Sequence, residues 1–298
     1  MQNIVSMKWL LARLYEPDMT IVDCRFWLND KPAGAAAYEA EHIPGAVYLD
    51  LEKDLSALVT AHGGRHPLPD IDQLALTLGK AGINQNSRVV IYDDNKGMNA
   101  ARLWWMLHYV GHEQVYVLSE GFTTWKNAKF PVTSDQPVVI PTTFVAHVQP
   151  DMLADVEEVR QVSQAYGSTD TTPSVQTQDH TSLPVLIDSR EHKRYLGLEE
   201  PIDSKAGHIP GAVNYFWQDT RHDEEDRYDD VERLEKHFAG LDKEQTIIVY
   251  CGSGVSACPN VLALNEAGYT NVKLYSGSWS DWISYEENAV AIGENYIV

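Results

Sequence analysis

Residues 246–257 read Thr246-Ile-Ile-Val-Tyr250-Cys251-Gly-Ser-Gly-Val-Ser-Ala257, and the architecture of the whole chain follows from them. The first half is a short β-branched run, typical of a parallel strand that is buried on both faces. The two glycines after Cys251 let the chain curl so that several main-chain N–H groups point inward, and a helical pattern follows. This order predicts an α/β domain whose functional loop lies at the carboxyl end of a parallel sheet.

The chain contains this pattern twice. Arg88-Val-Val-Ile-Tyr92 matches the strand that ends at Tyr250, and three further blocks recur in the same order. They are Val22–Arg25 with Ile187–Arg190, Glu41–Val47 with Gly207–Val213, and Leu118–Trp125 with Tyr275–Trp282. Such internal duplication predicts two successive domains of one fold. We place the domains at residues 1–137 and 151–298, joined by an extended, proline-marked linker at 138–150.

In each copy, short apolar runs alternate with helical segments, so the sequence predicts two doubly wound, mainly parallel sheets flanked by helices. Strands are expected at 20–23, 89–92, 114–118, 185–188, 247–250 and 272–275. Helices are expected at 70–81, 98–110, 153–164, 230–238 and 255–268, with a short helix capped by Ser6 near the start. The polar stretch 165–182 is predicted to be a surface insertion in the second copy.

The charge balance disfavours several classes of partner. The 298 residues carry 23 basic and 43 acidic side chains, a net charge of −20, which disfavours binding to a nucleic-acid backbone or an anionic bilayer. No apolar run approaches the ~20 residues needed to cross a membrane. The first residues do not resemble a signal peptide, and three cysteines are too few for a disulfide framework. We therefore expect a cytoplasmic protein that binds neither nucleic acid nor membrane.

The two copies differ chemically at the residue that follows the central strand, which is Asp93 in the first copy and Cys251 in the second. A ring of main-chain N–H groups stabilises an anion, so a thiol placed there is favoured as the nucleophilic thiolate. A cysteine at the end of a buried strand is often a small core residue. The Gly-Ser-Gly after Cys251 favours catalysis instead, because core packing has no need of such a loop. Cys24 and Cys258 are predicted to be inert.

Other recurring polar and aromatic residues are predicted to serve the fold. Asp23 with Arg25, and Asp188 with Arg190, are expected to form internal ion pairs that brace the loops. The aromatic residues expected to pack in a core or between the domains, rather than to contact a ligand, are Trp104, Trp105, Trp125, Trp279 and Trp282.

The repeated blocks, together with Cys251-Gly-Ser-Gly-Val-Ser-Ala257, resemble the tandem rhodanese family of sulfurtransferases over nearly the whole chain. The resemblance implies an inactive first copy with Asp93 at the nucleophile position, and a Cys251 that accepts a sulfane sulfur as a persulfide. The sulfur would pass to a thiol, to cyanide or to a thioredoxin-like acceptor, without a cofactor or a metal. The main-chain N–H groups expected to stabilise the sulfur are those of Gly252, Ser253, Gly254, Val255 and Ser256.

The composition of the loop is most similar to the 3-mercaptopyruvate branch of that family. Thiosulfate-preferring members carry basic residues just after the cysteine, where this chain has Gly252 and Ser253. The resemblance also implies two arginines that hold the carboxylate of the donor. Arg194 matches the first, whereas the second position falls near Ile202, and Lys205 is the candidate substitute. The expected donor is 3-mercaptopyruvate, with thiosulfate as the alternative.

The same branch has a relay of serine, histidine and an acid at the cysteine. Ser253 matches the serine. His66, in Gly64-Arg65-His66-Pro67-Leu68-Pro69, and Glu52 are the candidates for the other two members. A purely structural role for His66 stays open.

Two other functions remain as alternatives. A cysteine phosphatase requires an arginine six residues after the cysteine to clamp the phosphate, and Ala257 stands there. A non-catalytic binding scaffold would be expected to have lost Cys251.

Overall fold

The structure is a computed structural model, and it describes residues 3–167, 183–222 and 225–294. The described chain divides into two units, each built on a five-stranded sheet in which every strand pair is parallel. The predicted fold class is confirmed. The predicted insertion at 165–182 lies almost entirely outside the described residues.

Two short segments belong to a different structural unit from the rest of their sequence copy. Unit 1 comprises Met1–Ala57, Leu68–Pro150 and Arg221–Asp230, and unit 2 comprises Leu58–Pro67, Asp151–Thr220 and Val231–Val298. Segment 58–67 lies within the first sequence copy but is a part of unit 2. This matters for the site because the same unit contains Cys251.

Unit 1 contains five strands and five helices among its described residues. The strands are β1 (Ile4–Val5), β2 (Met19–Asp23), β3 (Val47–Tyr48), β4 (Arg88–Tyr92) and β5 (Val115–Leu118), in the order β1-β5-β4-β2-β3. The helices are α1 (Met7–Leu11), α2 (Ala33–Ala40), α3 (Ile71–Lys80), α4 (Met98–Tyr109) and α5 (Phe122–Asn127).

Unit 2 repeats that order. Its described strands are β6 (Leu153–Ala154), β7 (Val185–Asp188), β8 (Val213–Asn214), β9 (Ile247–Tyr250) and β10 (Val272–Tyr275), arranged β6-β10-β9-β7-β8. The helices are α6 (Val156–Gly167), α7 (His192–Tyr195), α8 (Val231–His237), α9 (Cys258–Glu266) and α10 (Ser278–Trp282). The register repeats too, since Asp23 lies opposite Tyr92 in unit 1 and Asp188 opposite Tyr250 in unit 2.

All six predicted strands are present to within one residue, and the Ser6 hydroxyl caps α1 as expected. Two predicted helices begin at later residues than expected, so their predicted starts are wrong. Leu153–Ala154 forms β6, because these two residues pair with the edge of β10, and the helix begins only at Val156. The helix predicted from residue 255 begins at Cys258, because the loop after β9 continues through Ala257.

The predicted ion pairs are confirmed, and each one braces a turn. Arg25 Nη2 lies 2.6 Å from Asp23 Oδ2, and the same nitrogen donates to the carbonyl of Glu41. In unit 2, Arg190 Nη2 lies 2.6 Å from Asp188 Oδ2 and also donates to the carbonyl of Gly207. Arg25 therefore connects the end of β2 to the turn beside it, and Arg190 does the same for β7.

The five tryptophans predicted to pack in the interior are all buried. Trp125 lies in a core cluster of unit 1 with Tyr92, while Trp279 and Trp282 lie in the corresponding cluster of unit 2 with Tyr250. The cores thus repeat along with the sheets. Within the described ranges, no helix has the length and apolar character needed to cross a membrane.

Candidate active site

Cys251 directly follows β9 and begins a seven-residue loop, 251–257, that leads into α9. The residue is buried, and α10 holds its backbone from one side. The Cys251 N–H donates to Ser278 Oγ at 3.1 Å, and the Cys251 carbonyl accepts from the Trp279 N–H at 2.9 Å. The Gly252 carbonyl accepts from the Ser280 N–H at 3.0 Å. The first turn of α10 therefore fixes the backbone of Cys251.

Ser278 achieves this in an unfavourable backbone conformation. Its φ is +58°, a region that costs a non-glycine residue roughly 1–2 kcal/mol. Its hydroxyl donates to the Tyr275 carbonyl at 2.9 Å while it accepts from Cys251. Sequence reasoning identified the Tyr275–Trp282 block only as a repeat and missed this role.

Gly254 produces the curl of the loop. Its φ is +74°, and a Cβ built on it would lie 2.1 Å from the Ser276 carbonyl oxygen, so only glycine fits. The curl leaves several main-chain N–H groups without a protein acceptor among the described residues. These are the N–H groups of Gly252, Ser253, Val255 and Ser256.

The equivalent loop of unit 1 shows what such N–H groups bind. The buried Asp93 carboxylate accepts four main-chain N–H bonds of 2.8 to 2.9 Å, from Asn95, Gly97, Asn99 and Ala100. Burial raises the pKa of Asp93, and these hydrogen bonds oppose that rise. In unit 1, a carboxyl side chain thus occupies the centre of the loop.

A hydrogen bond of 2.9 Å joins His66 Nδ1 to Ser253 Oγ, and both residues are buried. The structure thereby brings together two members of the predicted relay. The third candidate, Glu52, belongs to unit 1 and lies 2.7 Å from Lys31 Nζ in an ion pair.

Segment 58–67 is tied to the α10 region by main-chain and side-chain contacts. The Gly63 N–H donates to Asp281 Oδ1 at 2.6 Å, and the Arg65 N–H donates to Ser280 Oγ at 3.1 Å. His62 bonds Ser284 Oγ at 2.8 Å, and its ring stacks on Tyr285. These contacts fix the backbone from which Arg65 and His66 project.

Arg194 lies beside the loop in a row of alternating charges. It donates to Glu200 Oε1 at 2.7 Å and to Asp203 Oδ2 at 3.1 Å. Arg190 pairs with the other oxygen of Glu200, and Arg65 pairs with the other oxygen of Asp203. Sequence reasoning missed Arg65, although it stands directly before the histidine that was identified.

The two carboxylates of this row differ in their acidity. Burial acts to raise the pKa of Glu200, but the hydrogen bond from Arg194 and two main-chain N–H groups lower it overall. Burial raises the pKa of Asp203, and the positive charge of Arg65 opposes that rise. Of the other candidates, Lys205 has an exposed side chain, and its carbonyl accepts from Trp279 Nε1 at 2.9 Å.

The other two cysteines are buried, and neither forms a disulfide. Burial raises the pKa of Cys24 far above its ordinary value, with the charge of Asp23 adding to the rise. Cys258 Sγ donates to the Gly254 carbonyl at 3.3 Å. Both environments are those expected of inert thiols.

The family model described as "Rhodanese-like domain" matches residues 6–128 and 172–285 of this chain. A Pseudomonas aeruginosa protein named "probable 3-mercaptopyruvate sulfurtransferase" is 40% identical over 297 residues, covering 98% of this chain and 99% of that protein. The thiosulfate sulfurtransferase of Cricetulus griseus is 32% identical over 94% of this chain and 91% of its own length. Among solved structures, SseA from Escherichia coli, described as a 3-mercaptopyruvate sulfotransferase with the rhodanese fold, has a TM-score of 0.76. It is 28% identical and covers 94% of this chain and 100% of its own.

Proposed function

The chain belongs to the rhodanese-like domain family in both of its sequence copies, and we propose that it is a sulfurtransferase that uses 3-mercaptopyruvate as its donor. Cys251 is the nucleophile, and the first copy, with Asp93 at the corresponding position, is catalytically inactive. The proposal rests on the relatives named for this activity and on the chemistry of the loop after β9.

The observation that carries the mechanism is the contrast between the two loops. In unit 1 four main-chain N–H groups donate to the Asp93 carboxylate, and this supports the ability of such a loop to hold a negative charge. In unit 2 a thiol begins the loop, and the N–H groups of Gly252, Ser253, Val255 and Ser256 have no protein acceptor among the described residues. A thiolate, and then an anionic persulfide, is the species that this loop stabilises.

In the first half-reaction, the Cys251 thiolate attacks the sulfur of 3-mercaptopyruvate. The new S–S bond forms as the C–S bond of the donor breaks, and the electron pair of that bond leaves with the carbon as the enolate of pyruvate. The enolate takes up one proton and becomes pyruvate. Cys251 is left as a persulfide whose terminal sulfur faces the loop N–H groups.

The proton for the enolate comes through Ser253 and His66. Ser253 stands two residues after Cys251 in the same loop, and its 2.9 Å hydrogen bond to His66 lets the imidazole supply a proton through the serine hydroxyl. Glu52 is retained as the proposed acid of this relay. A histidine is suited to the task because its unperturbed pKa lies near neutrality.

In the second half-reaction, a thiol, cyanide or a thioredoxin-like protein attacks the terminal sulfur. The S–S bond to Cys251 breaks, the acceptor keeps the outer sulfur, and the Cys251 thiolate is restored. A reducing cytoplasm suits this cycle, because the nucleophile must return to the free thiolate after each turnover.

Arg194 orients the donor by binding its carboxylate, and Lys205 is the second cation proposed from the sequence. Thiosulfate is the second candidate donor, since a thiosulfate sulfurtransferase is among the relatives and a guanidinium binds a sulfonate as well as a carboxylate. The chemistry at Cys251 is then the same, with sulfite as the leaving group.

The test compares kcat/KM for 3-mercaptopyruvate and thiosulfate with one common acceptor, in wild type, Cys251→Ser and Cys24→Ala. We expect Cys251→Ser to abolish transfer from both donors, and we expect the buried Cys24→Ala control to retain it. A higher kcat/KM for thiosulfate would reassign the donor. Transfer that survives in Cys251→Ser would refute the assignment of the nucleophile.

A further inference from the structure

A buried carboxylate on α10 holds the segment that carries His66. Asp281 is 5% exposed; its Oδ1 accepts the Gly63 N–H and its Oδ2 accepts the Tyr275 hydroxyl, each at 2.6 Å. Burial raises the pKa of Tyr275 far above its ordinary value, and the charge of Asp281 adds to the rise, so the phenol stays a hydrogen-bond donor. One carboxylate oxygen is therefore fixed by the end of β10, and the other binds the backbone of segment 58–67.

The backbone of the segment is shaped to meet this carboxylate. Gly63 and Gly64 have φ values of +97° and +78°, in the left-handed region that favours glycine. A Cβ built on Gly64 would lie 2.4 Å from the Gly277 carbonyl oxygen, so the chain passes directly against the start of α10. Gly277 also leaves room for Asp281, because a Cβ built on it would lie 2.5 Å from Oδ2. The turn at these two glycines sets the place from which His66 projects.

The first sequence copy has no such arrangement. In the repeated block, Leu118 stands where the second copy has Tyr275, and Thr124 stands where it has Asp281. A leucine has no hydroxyl to donate and a threonine has no carboxylate to accept, so the pair cannot form there. The ion pairs at the ends of β2 and β7 occur in both units, as expected for contacts that serve the fold. The Tyr275–Asp281 pair, in contrast, occurs in the unit that contains Cys251.

We propose that Asp281 is a positioning residue of the proton relay, which keeps His66 within hydrogen-bond distance of Ser253 by holding the Gly63 N–H. This inference rests on the proposed function and deepens it. Asp281 acts through the backbone between Gly63 and His66 and not on the substrate. The relay matters for one donor only, because the enolate that leaves 3-mercaptopyruvate needs a proton and the sulfite that leaves thiosulfate needs none. Loss of Asp281 should therefore affect the two donors unequally.

The test measures single-turnover release of pyruvate from 3-mercaptopyruvate and of sulfite from thiosulfate. We expect Asp281→Ala to slow pyruvate release about ten- to a hundredfold, the effect of one lost charged hydrogen bond, and to change sulfite release little. Tyr275→Phe keeps the bond to Gly63 but frees Oδ2, so it should give a smaller fall in the same direction. An equal fall for both donors in both variants would reduce Asp281 to a structural role and overturn the proposal, as would unchanged rates.

Two matched variants separate the position of the segment from the loss of a side chain. Gly64→Ala leaves Asp281 intact but pushes the segment away from the Gly277 carbonyl, and it should reproduce the selective fall in pyruvate release. Thr124→Ala truncates the position in the first copy that corresponds to Asp281, and it should leave both rates unchanged. A Gly64→Ala protein with wild-type pyruvate release would contradict the proposal.

Modification by diethyl pyrocarbonate gives a readout that does not depend on activity. A neutral imidazole nitrogen attacks a carbonyl of the reagent, and ethyl carbonate leaves. His66 is buried and should be protected in wild type, whereas His147 is exposed and serves as the internal reference. Mass spectrometry of the tryptic peptides follows both, and cleavage after Arg65 separates His66 from His62.

We expect the ratio of His66 to His147 modification to rise about ten- to a hundredfold in Asp281→Ala and to stay at the wild-type value in Thr124→Ala. An unchanged ratio in Asp281→Ala would overturn the positioning role. If the wild-type protein releases neither pyruvate nor sulfite but the ratio still rises in Asp281→Ala, the proposed function fails and the positioning of His66 by Asp281 stands.

Discussion

Replacing Asp93 tests whether the loop after β4 is held together by its own carboxylate. Asp93→Ala removes the acceptor of four main-chain N–H bonds at the end of β4. Among the donors, Gly97, Asn99 and Ala100 are buried, and Asn95 is partly exposed. Water can replace the carboxylate at the exposed donor but not at the buried ones.

The size of the effect follows from those three buried donors. An unsatisfied buried N–H costs roughly 1–3 kcal/mol, so the three together cost about 3–9 kcal/mol. The carboxylate is itself unfavourable to bury, as its raised pKa shows, and its removal offsets a part of that cost. We expect a net loss of about 2–4 kcal/mol. Asp93→Asn should lose less, because its single amide oxygen can still accept one pair of N–H groups.

Urea unfolding followed by tryptophan fluorescence measures this loss, and the sulfur-transfer rate per folded molecule is measured on the same samples. We expect the order of stability to be wild type, then Asp93→Asn, then Asp93→Ala, with sulfur transfer by Cys251 retained in all three. The control is Asp94→Asn, which removes the neighbouring charge while its own contacts are to the exposed Thr123. An unchanged midpoint in Asp93→Ala would refute the reasoning.

Two further predictions concern Ser278 and His108. Ser278→Ala and Ser278→Gly both remove the acceptor of the Cys251 N–H, but glycine also relieves the φ of +58°. Thermal unfolding should therefore show the alanine variant to be less stable by about 1 kcal/mol, and an equal stability would contradict the strain argument. Burial, with a smaller contribution from His112, lowers the pKa of His108 to about 4 from 6.5. Because the unfolded state takes up the proton first, stability should fall by about 3 kcal/mol at most as the pH drops from 6.5 to 4. Urea unfolding measured at a series of pH values gives this loss. In His108→Gln the free energy of unfolding should depend less on pH between 6.5 and 4, and an unchanged pH dependence would exclude His108 as its source.

Sequence-based prediction worked best where the signal was local. Runs of β-branched residues predicted the central strands to within one residue, since a strand buried on both faces needs a continuous apolar run. Sequence-based prediction worked less well for the edge strand β6 and for short helices. The two-residue strand β6 and the short helices α2, α5, α7 and α10 span too few residues to show a periodicity.

The start of α9 shows the same limit within the candidate site. The helical pattern after β9 extends back to Val255, but the chain remains a loop until Ala257. Gly254 lies against the Ser276 carbonyl, and the first turn of α10 binds the Cys251 and Gly252 carbonyls. These contacts keep the chain in a loop conformation, so that α9 begins only at Cys258.

The amino-acid sequence by itself determined the duplication and the parallel sheets, and it made Cys251 rather than Asp93 the candidate nucleophile, because each of these depends on residues close together along the chain. Tertiary structure alone decided which distant side chains meet at and beside the loop after β9. His66 and Ser253 are 187 positions apart, and Arg65 and Asp203 are 138 apart. They meet because segment 58–67 packs in unit 2 through its bonds to Ser280 and Asp281. No periodicity or spacing along the chain encodes such a meeting, which depends on how distant segments pack.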